Sequence, residues 1–273
     1  MAAPTEISNM ALFCDFENVA LGVRDAKYAP FDIKKVLERL LLKGSIVVKK
    51  AYCDWDRYKE FKATMHEAAF ELIEIPHVRQ SGKNSADIRL VVDALDLCYT
   101  KSHVDTFVII SGDSDFSPLV SKLRENNKYV IGIGVKDSTS DLLSANCDEF
   151  IFYDDLVLEQ EAKQKRKAKK TPVKESAEKK KPINKGEDDK RQEALDFIVE
   201  TVDALIAERG LDEKIWGSLV KNTMQRRKPG FTESAYGYRS FKELVEDAQK
   251  HKLLVVVRDD KAGPYTIRLA ASD

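Results

Sequence analysis

Four aspartates stand where a parallel α/β sheet would gather its loops. Asp15 follows the apolar run Met10-Ala11-Leu12-Phe13-Cys14. Asp113 and Asp115 lie in Ser111-Gly112-Asp113-Ser114-Asp115, directly after Thr106-Phe107-Val108-Ile109-Ile110. Asp87 opens the amphipathic stretch Ala86-Asp87-Ile88-Arg89-Leu90-Val91-Val92-Asp93. Ligands of open α/β sheets bind just outside the carboxyl ends of the strands, where Asp15 and the Asp113–Asp115 pair fall. Clustered carboxylates repel one another unless a cation or a proton shares the site. An all-oxygen donor set suits a hard cation, Mg²⁺ or Mn²⁺, and a hard cation in an acidic cleft serves phosphodiester chemistry.

Each residue also has a plainer use. Asp15 and Asn18, in Asp15-Phe16-Glu17-Asn18, could cap a helix or make a turn. Asp115 could cap the helix that Pro118 opens, whereas Asp113 has no such evident duty. Asp87 would favour the dipole of its own helix. Asp93, six residues on, would face elsewhere and is read as structural. Ser111 and Ser114 could orient a carboxylate or hydrogen-bond a phosphate, and Lys83 could lie beside one. It is the convergence of four acids from three segments on one end of one sheet that capping alone explains poorly. His66, His77, His103 and His251 form no spaced cluster, so no Ser-His-Asp or Cys-His arrangement competes with metal-assisted hydrolysis.

The elements that must position these residues follow from periodicity. Strands are expected at 10–14, 46–53, 71–75, 106–111, 129–135 and 149–153, with helices at 31–43, 55–69, 85–100, 116–127 and 138–146. Such alternation implies βαβ units and a mostly parallel sheet sandwiched by helices, and unbroken apolar strands imply that both faces are covered. Residues 159–189 lose the apolar stripe and read as a basic flexible linker between a domain at 1–158 and a second at 190–273. In the second, apolar periodicity resumes at Ala194, continues near Trp216 and Phe241, and ends in a hairpin of Leu253–Val257 and Tyr265–Leu269. Three helices and a hairpin make a small winged helix-turn-helix module.

Composition sets the remaining bounds. The chain has 273 residues, 43% of them hydrophobic, enough for two cores. No apolar run spans a bilayer and no signal peptide is apparent, so a soluble, cytoplasmic protein that engages no membrane is expected. Cys14, Cys53, Cys98 and Cys147 are too scattered for a zinc site or a disulfide framework. The net charge of −1 conceals a lysine- and arginine-rich tract from Lys163 to Lys181, downstream of the acids. That asymmetry suits an arm that finds polyanions, or equally a merely solvated linker.

Residues 10–155 resemble the NYN domains of the PIN-like nuclease superfamily, the LabA-like branch especially. The resemblance rests on Phe13-Cys14-Asp15-Phe16-Glu17-Asn18, Asp87-Ile88-Arg89-Leu90-Val91-Val92-Asp93 and Ser111-Gly112-Asp113-Ser114-Asp115-Phe116, in that order. It implies a metal-dependent ribonuclease with Asp15, Asp87, Asp113 and Asp115 around Mg²⁺ or Mn²⁺, assisted by Asn18. Residues 191–270 look like an OST-HTH (LOTUS) domain, through Ser218-Leu219-Val220-Lys221, Met224-Gln225-Arg226-Arg227-Lys228-Pro229-Gly230-Phe231 and Tyr236-Gly237-Tyr238-Arg239-Ser240-Phe241. That resemblance implies binding to RNA, single-stranded or structured and including G-rich RNA, and in some members to proteins.

The residues of the second domain agree with this on their own terms. Arg226, Arg227, Lys228 and Arg239 could hold phosphates, while bases stack on Tyr236 and Tyr238. The plainer alternative puts the aromatics in the core and the charges on a wet surface. The expected function is a metal-dependent ribonuclease whose second domain selects substrate. The rivals are a non-catalytic RNA-binding adaptor and, less well matched by Asp15-Phe16-Glu17, an Asp-nucleophile phosphatase.

Overall fold

The computed structural model describes residues 8–75, 85–169, 185–210, 213–258 and 265–270. The chain divides into two compact units, Met1–Pro172 and Val173–Asp273.

The first unit is an α/β fold built on six strands: β1 (Ser8–Asp15), β2 (Gly44–Cys53), β3 (Glu71–Glu74), β4 (Thr106–Ile110), β5 (Tyr129–Gly134) and β6 (Glu149–Phe152). All neighbours are parallel, in the order β3-β2-β1-β4-β5-β6. Between them run α1 (Phe16–Asp25), α2 (Ile33–Lys43), α3 (Lys59–Glu67), α4 (Ser85–Thr100), α5 (Ser117–Glu125) and α6 (Asp141–Asn146), and α7 (Tyr153–Lys169) follows β6.

Period-two alternation divides the strand side chains between two cores. Met10, Leu12 and Cys14 of β1 pack with Val19, Val36, Met65 and Leu156, from α1, α2, α3 and α7. Ala11 and Phe13 pack on the other face with Leu90, Leu119 and Leu143, from α4, α5 and α6. Every β1 residue from Met10 to Cys14 is therefore fully buried, which explains its unbroken apolar run. The chain changes faces between β3 and β4, where the strand order also reverses about β1. A reversal of this kind leaves a crevice between β1 and β4 at their carboxyl ends, and the acidic motifs lie there.

The expected strands and the five expected helices all form, with ends shifted by a few residues. Helix α1 is an addition that periodicity did not reveal. It begins within the acidic motif itself, with Asp15 as its N-cap, and Gly22 interrupts its apolar pattern. Helix α7 continues to Lys169, beyond the point where a linker was expected to begin. The side chains of the basic tract 163–181 lie outside the described residues. All four cysteines are unpaired, and Cys14, Cys53 and Cys98 are buried. Among the described residues, no helix is long and apolar enough to cross a membrane.

The second unit contains α8 (Lys185–Arg209), α9 (Gly217–Arg227), α10 (Phe241–Lys250) and the antiparallel hairpin β7 (Leu254–Arg258)–β8 (Tyr265–Leu269). Trp216 adds a bridge to Thr266, so the hairpin gains a short third partner. A core of its own, including Ile198, Leu205, Val220, Leu244 and Ile267, holds these elements together. The Tyr236-Gly237 step requires glycine, because Gly237 ends a 3-10 turn at φ +79°.

Candidate metal centre at the sheet switch point

Strand β1 delivers Asp15 at its last residue, and the β1–β4 register, Cys14 beside Ile110, brings Ser111 alongside it. Asp15 is 7% exposed, and a carboxylate so buried needs partners. Ser111 Oγ donates to Asp15 Oδ2 at 2.9 Å, and the Asn18 backbone N–H donates to Oδ1 at 3.4 Å. The Ser111 hydroxyl also accepts from the Asp113 backbone N–H at 3.2 Å. Asn18 Oδ1 in turn accepts from the Gly112 backbone N–H at 2.9 Å. The start of α1 is thereby fastened to the loop after β4.

These bonds lower the Asp15 pKa, yet burial outweighs them, and the charges of Asp87 and Asp113 push further the same way. The Asp15 carboxyl is raised from 3.8 to about 7. Asp87, in the first turn of α4, is raised to about 6 by burial and then by the charges of Asp113, Asp115 and Glu17. Charges from three segments therefore act on Asp15 and Asp87. Among the described residues, no three acidic, cysteine or histidine side chains close into a preformed ligand cage. The donor chemistry nevertheless fits a hard divalent cation: the oxygens are carboxylate oxygens, and the charge that burial and repulsion penalise is the charge a cation offsets.

Two expectations about capping are reversed. Asp113, read as free of local duties, caps the 3-10 turn Ser114–Phe116 by accepting from the Asp115 N–H at 2.9 Å. Asp115 caps nothing: the N-cap position of α5 is Phe116, which has no capping side chain, and Asp115 is exposed. The short turn inserted before α5 moved the cap by two residues. Asp15 is at once a helix cap and a member of the acidic group, so the plain and the chemical readings hold together.

Ser111 is fully buried with its hydroxyl on Asp15, so it orients a carboxylate and does not face a phosphate. Ser114 is half-buried on the turn beside Asp115. Lys83 lies outside the described residues. Asp93 faces away from the centre, accepting from Tyr52 Oη at 2.9 Å and pairing with Lys50 and Arg89. One residue went unassigned in the sequence: Glu17, whose charge acts on Asp87 and whose carboxylate pairs with Arg57 at 3.0 Å. Its place in the Asp15-x-Glu17-Asn18 run was the available signal.

In the second unit the expected RNA-binding cluster divides. Tyr238 is 2% exposed, donates to Asp247 at 2.8 Å and lies under the Arg191 guanidinium, so its ring is not open to a base. Arg227 bonds Thr201 and Glu200 at 2.9 Å each and covers Phe197. Arg226 is half-buried against Thr223, and its Nε is buried with no partner among the described residues. Lys228 and Arg239 are exposed, whereas Tyr236 is half-buried with its ring stacked on Phe231. Lys228 pairs with Glu193 at 2.8 Å and donates to Tyr236 Oη at 2.7 Å. Residue types showed the cluster; which members are core depends on how α8 and α10 pack against α9.

Comparison with known proteins reaches the first unit. Residues 9–156 match the model of the NYN domain family. An uncharacterized protein of Methanocaldococcus jannaschii is 27% identical over 140 residues, covering 51% of this chain and 55% of that protein. A meiosis regulator and mRNA stability factor of Xenopus tropicalis is 26% identical over 148 residues, 54% of this chain and 9% of that protein. The chain thus spans about half the length of the first and a small part of the second. The crystal structure of a Vibrio parahaemolyticus protein of unknown function superposes with a TM-score of 0.50 at 27% identity, over 56% of this chain and 98% of that one.

Proposed function

Because this chain belongs to the NYN domain family, a family of PIN-like nucleases, we propose that it is a metal-dependent ribonuclease hydrolysing RNA phosphodiester bonds. The observation that carries this is the placement of Asp15 and the Ser111–Asp115 loop at the adjoining carboxyl ends of β1 and β4, where the Ser111 hydroxyl links the Asp15 carboxylate to the Asp113 N–H. The mRNA-stability role named for the Xenopus relative supports RNA as the substrate.

In this reading the four aspartates hold Mg²⁺ or Mn²⁺. When bound, such a cation supplies Lewis-acid charge to a scissile phosphate and raises the acidity of water. Ser111 and the Asn18 N–H fix the Asp15 carboxylate from both oxygens, so it meets its ligand without reorganising. Asn18 and Gly112 hold the β1 and β4 ends in register. Asp113 keeps its turn closed with one oxygen and leaves the other for the site. Glu17 holds Arg57 at the rim, where a guanidinium suits a flanking phosphate.

The test is incubation of the full chain with labelled single-stranded, duplex and G-rich RNA in EDTA, Mg²⁺ or Mn²⁺. Cleavage with either cation and none in EDTA is expected. Retained binding with no cleavage in any condition would favour an RNA-binding adaptor.

The second unit is, in the same proposal, an OST-HTH-type winged domain that brings RNA to the first. Its core supports independent folding. The segment 190–273 is expected to bind RNA with affinity that falls as salt rises, since phosphate contacts release counterions. The slope should be shallow, because Arg227 and Lys228 are already paired with Glu200 and Glu193. Lys228 sits in an exposed pair, which a phosphate can displace at small cost. Titration at several salt concentrations checks this; a folded segment that binds no RNA at low salt would remove the unit's assigned role.

A further inference from the structure

Tyr52 stands opposite Asp15 in the β1–β2 ladder. Opposed residues of neighbouring strands point to the same face of a sheet. Here it is the face that α4 covers with Leu90, Ala94 and Cys98, where Phe13 and Tyr52 are both buried. Asp15, two residues beyond Phe13, belongs to that face as well. Tyr52 is wholly buried, and its Oη donates to Asp93 Oδ2 of α4 at 2.9 Å. Lys50, two residues back along β2, gives the same oxygen a second donor at 3.2 Å. Arg89 Nε donates to Oδ1 at 3.0 Å. The Asp93 side chain is 12% exposed, so α4 keeps a nearly buried carboxylate where an apolar side chain could pack at no cost in desolvation.

We propose that the Tyr52–Asp93 contact sets the place of Asp87 relative to Asp15, which makes Tyr52 and Asp93 positioning residues of the cation centre. The inference rests on the reading of the acids as one such centre and adds the residues that fix its spacing. The first turn of α4 needs a hold of this kind. Asp87 lies there, and the charges of Asp113, Asp115 and Glu17 all bear on it, so repulsion works to drive the turn away. The packing of Leu90, Ala94 and Cys98 has no direction, and it resists a slip or a roll of the helix only weakly. A slip of one residue is about 1.5 Å, enough to take a carboxylate out of reach of a cation held at about 2.0–2.6 Å. A hydrogen bond from a buried ring is directional and opposes both movements. Arg89 is on α4 itself and cannot locate the helix against the sheet. Lys50 reaches Asp93 on a flexible stem, as a point charge. The Tyr52 hydroxyl is the rigid link: the ladder holds its residue beside Asp15, and its hydrogen bond holds α4.

The test is titration of Mn²⁺ into the full chain, with melting temperature and RNA cleavage measured separately. The variants are Tyr52→Phe, Asp93→Asn and the two combined. Tyr52→Phe keeps the ring, so the core under α4 stays filled. Asp148→Asn is the control: Asp148 pairs with Arg124 and accepts from the Val130 N–H at the opposite end of the sheet. Tyr52→Phe and Asp93→Asn should each weaken Mn²⁺ binding by about tenfold, as when groups that orient metal ligands are altered. The combined variant should bind no more weakly than Asp93→Asn alone, because both changes remove one contact. Asp148→Asn should lower the melting temperature and leave Mn²⁺ affinity at the wild-type value. Wild-type affinity in Tyr52→Phe and Asp93→Asn would overturn the proposal, and cleavage by those same proteins would leave the ribonuclease reading in place. An equal loss of affinity in Asp148→Asn would also overturn it, since general loosening would then account for the effect. If affinity falls as expected but no protein cleaves RNA, the positioning role stands and the ribonuclease reading falls. A wild-type chain that binds no Mn²⁺ would remove the positioning role and the cation centre together.

Discussion

Asp15→Asn should abolish RNA cleavage, by more than about 100-fold, while making the cation-free protein more stable at pH 8. The two effects have one origin. The Asp15 carboxyl has a pKa of about 7 in the folded protein against 3.8 without the fold, because burial and the charges of Asp87 and Asp113 disfavour its ionised form. Between those values the folded state binds more protons than the unfolded state, so stability declines as pH rises through the interval. Below pH 4 the group costs nothing; above pH 7 the whole penalty is present, on the order of 2–4 kcal/mol. An amide carries no charge, and the Ser111 hydroxyl can donate to it or accept from it. Denaturation in EDTA at pH 8 should show the first unit of the variant melting above wild type, with the gap closing toward pH 4. A variant that is less stable at both pH values would mean that Asp15 is held by structural bonds and not strained by its charge.

Gly112→Ala should have the second-largest effect, through space and not through charge. A Cβ at Gly112 would stand 2.5 Å from the Ser138 carbonyl oxygen and 3.0 Å from Thr139 Cα. These are backbone atoms that cannot swing away. Gly112 is tied further by its N–H to Asn18 and by its carbonyl, which accepts from the Ser140 N–H at 2.9 Å. The loop must therefore move, and Asp113 moves with it. Overpacking of this kind costs about 1–3 kcal/mol. A lowered melting temperature together with a loss of cleavage of tenfold or more is expected. Full activity at a lowered melting temperature would show that Asp113 need not be held where the loop puts it.

How much of this was legible in the sequence depends on the distance over which each feature is decided. Strand β1 was legible because burial on both faces leaves only apolar residues between Met10 and Cys14. Helix α4 was legible because its apolar stripe, with Leu90, Ala94 and Cys98 buried, lies within its own 16 residues. Helix α1 was not, since Asp15, Glu17 and Asn18 at its start also belong to the site and read equally well as a turn. The convergence of the acids could be inferred from strand ends, but the assignment of caps could not. The 3-10 turn that hands the cap to Asp113 depends on how Phe116 packs into the core under α5. Tyr238 and Tyr236 illustrate the same limit in the second unit. Two residues apart, they differ in burial because of what α8 and α10 place over them, which periodicity does not record.

The central claim is that the acids at the β1–β4 switch point form one divalent-cation site. The most direct measurement is calorimetric titration of Mn²⁺ into the full chain at pH 6.5, repeated in two buffers of different ionisation heat. Asp15 and Asp87, raised to about 7 and about 6, are both partly protonated at that pH. A cation must displace those protons to bind. The account predicts binding with proton release, weaker release at pH 8, and loss of both binding and release in Asp15→Asn. Binding without proton release, or binding that Asp15→Asn leaves intact, would contradict it.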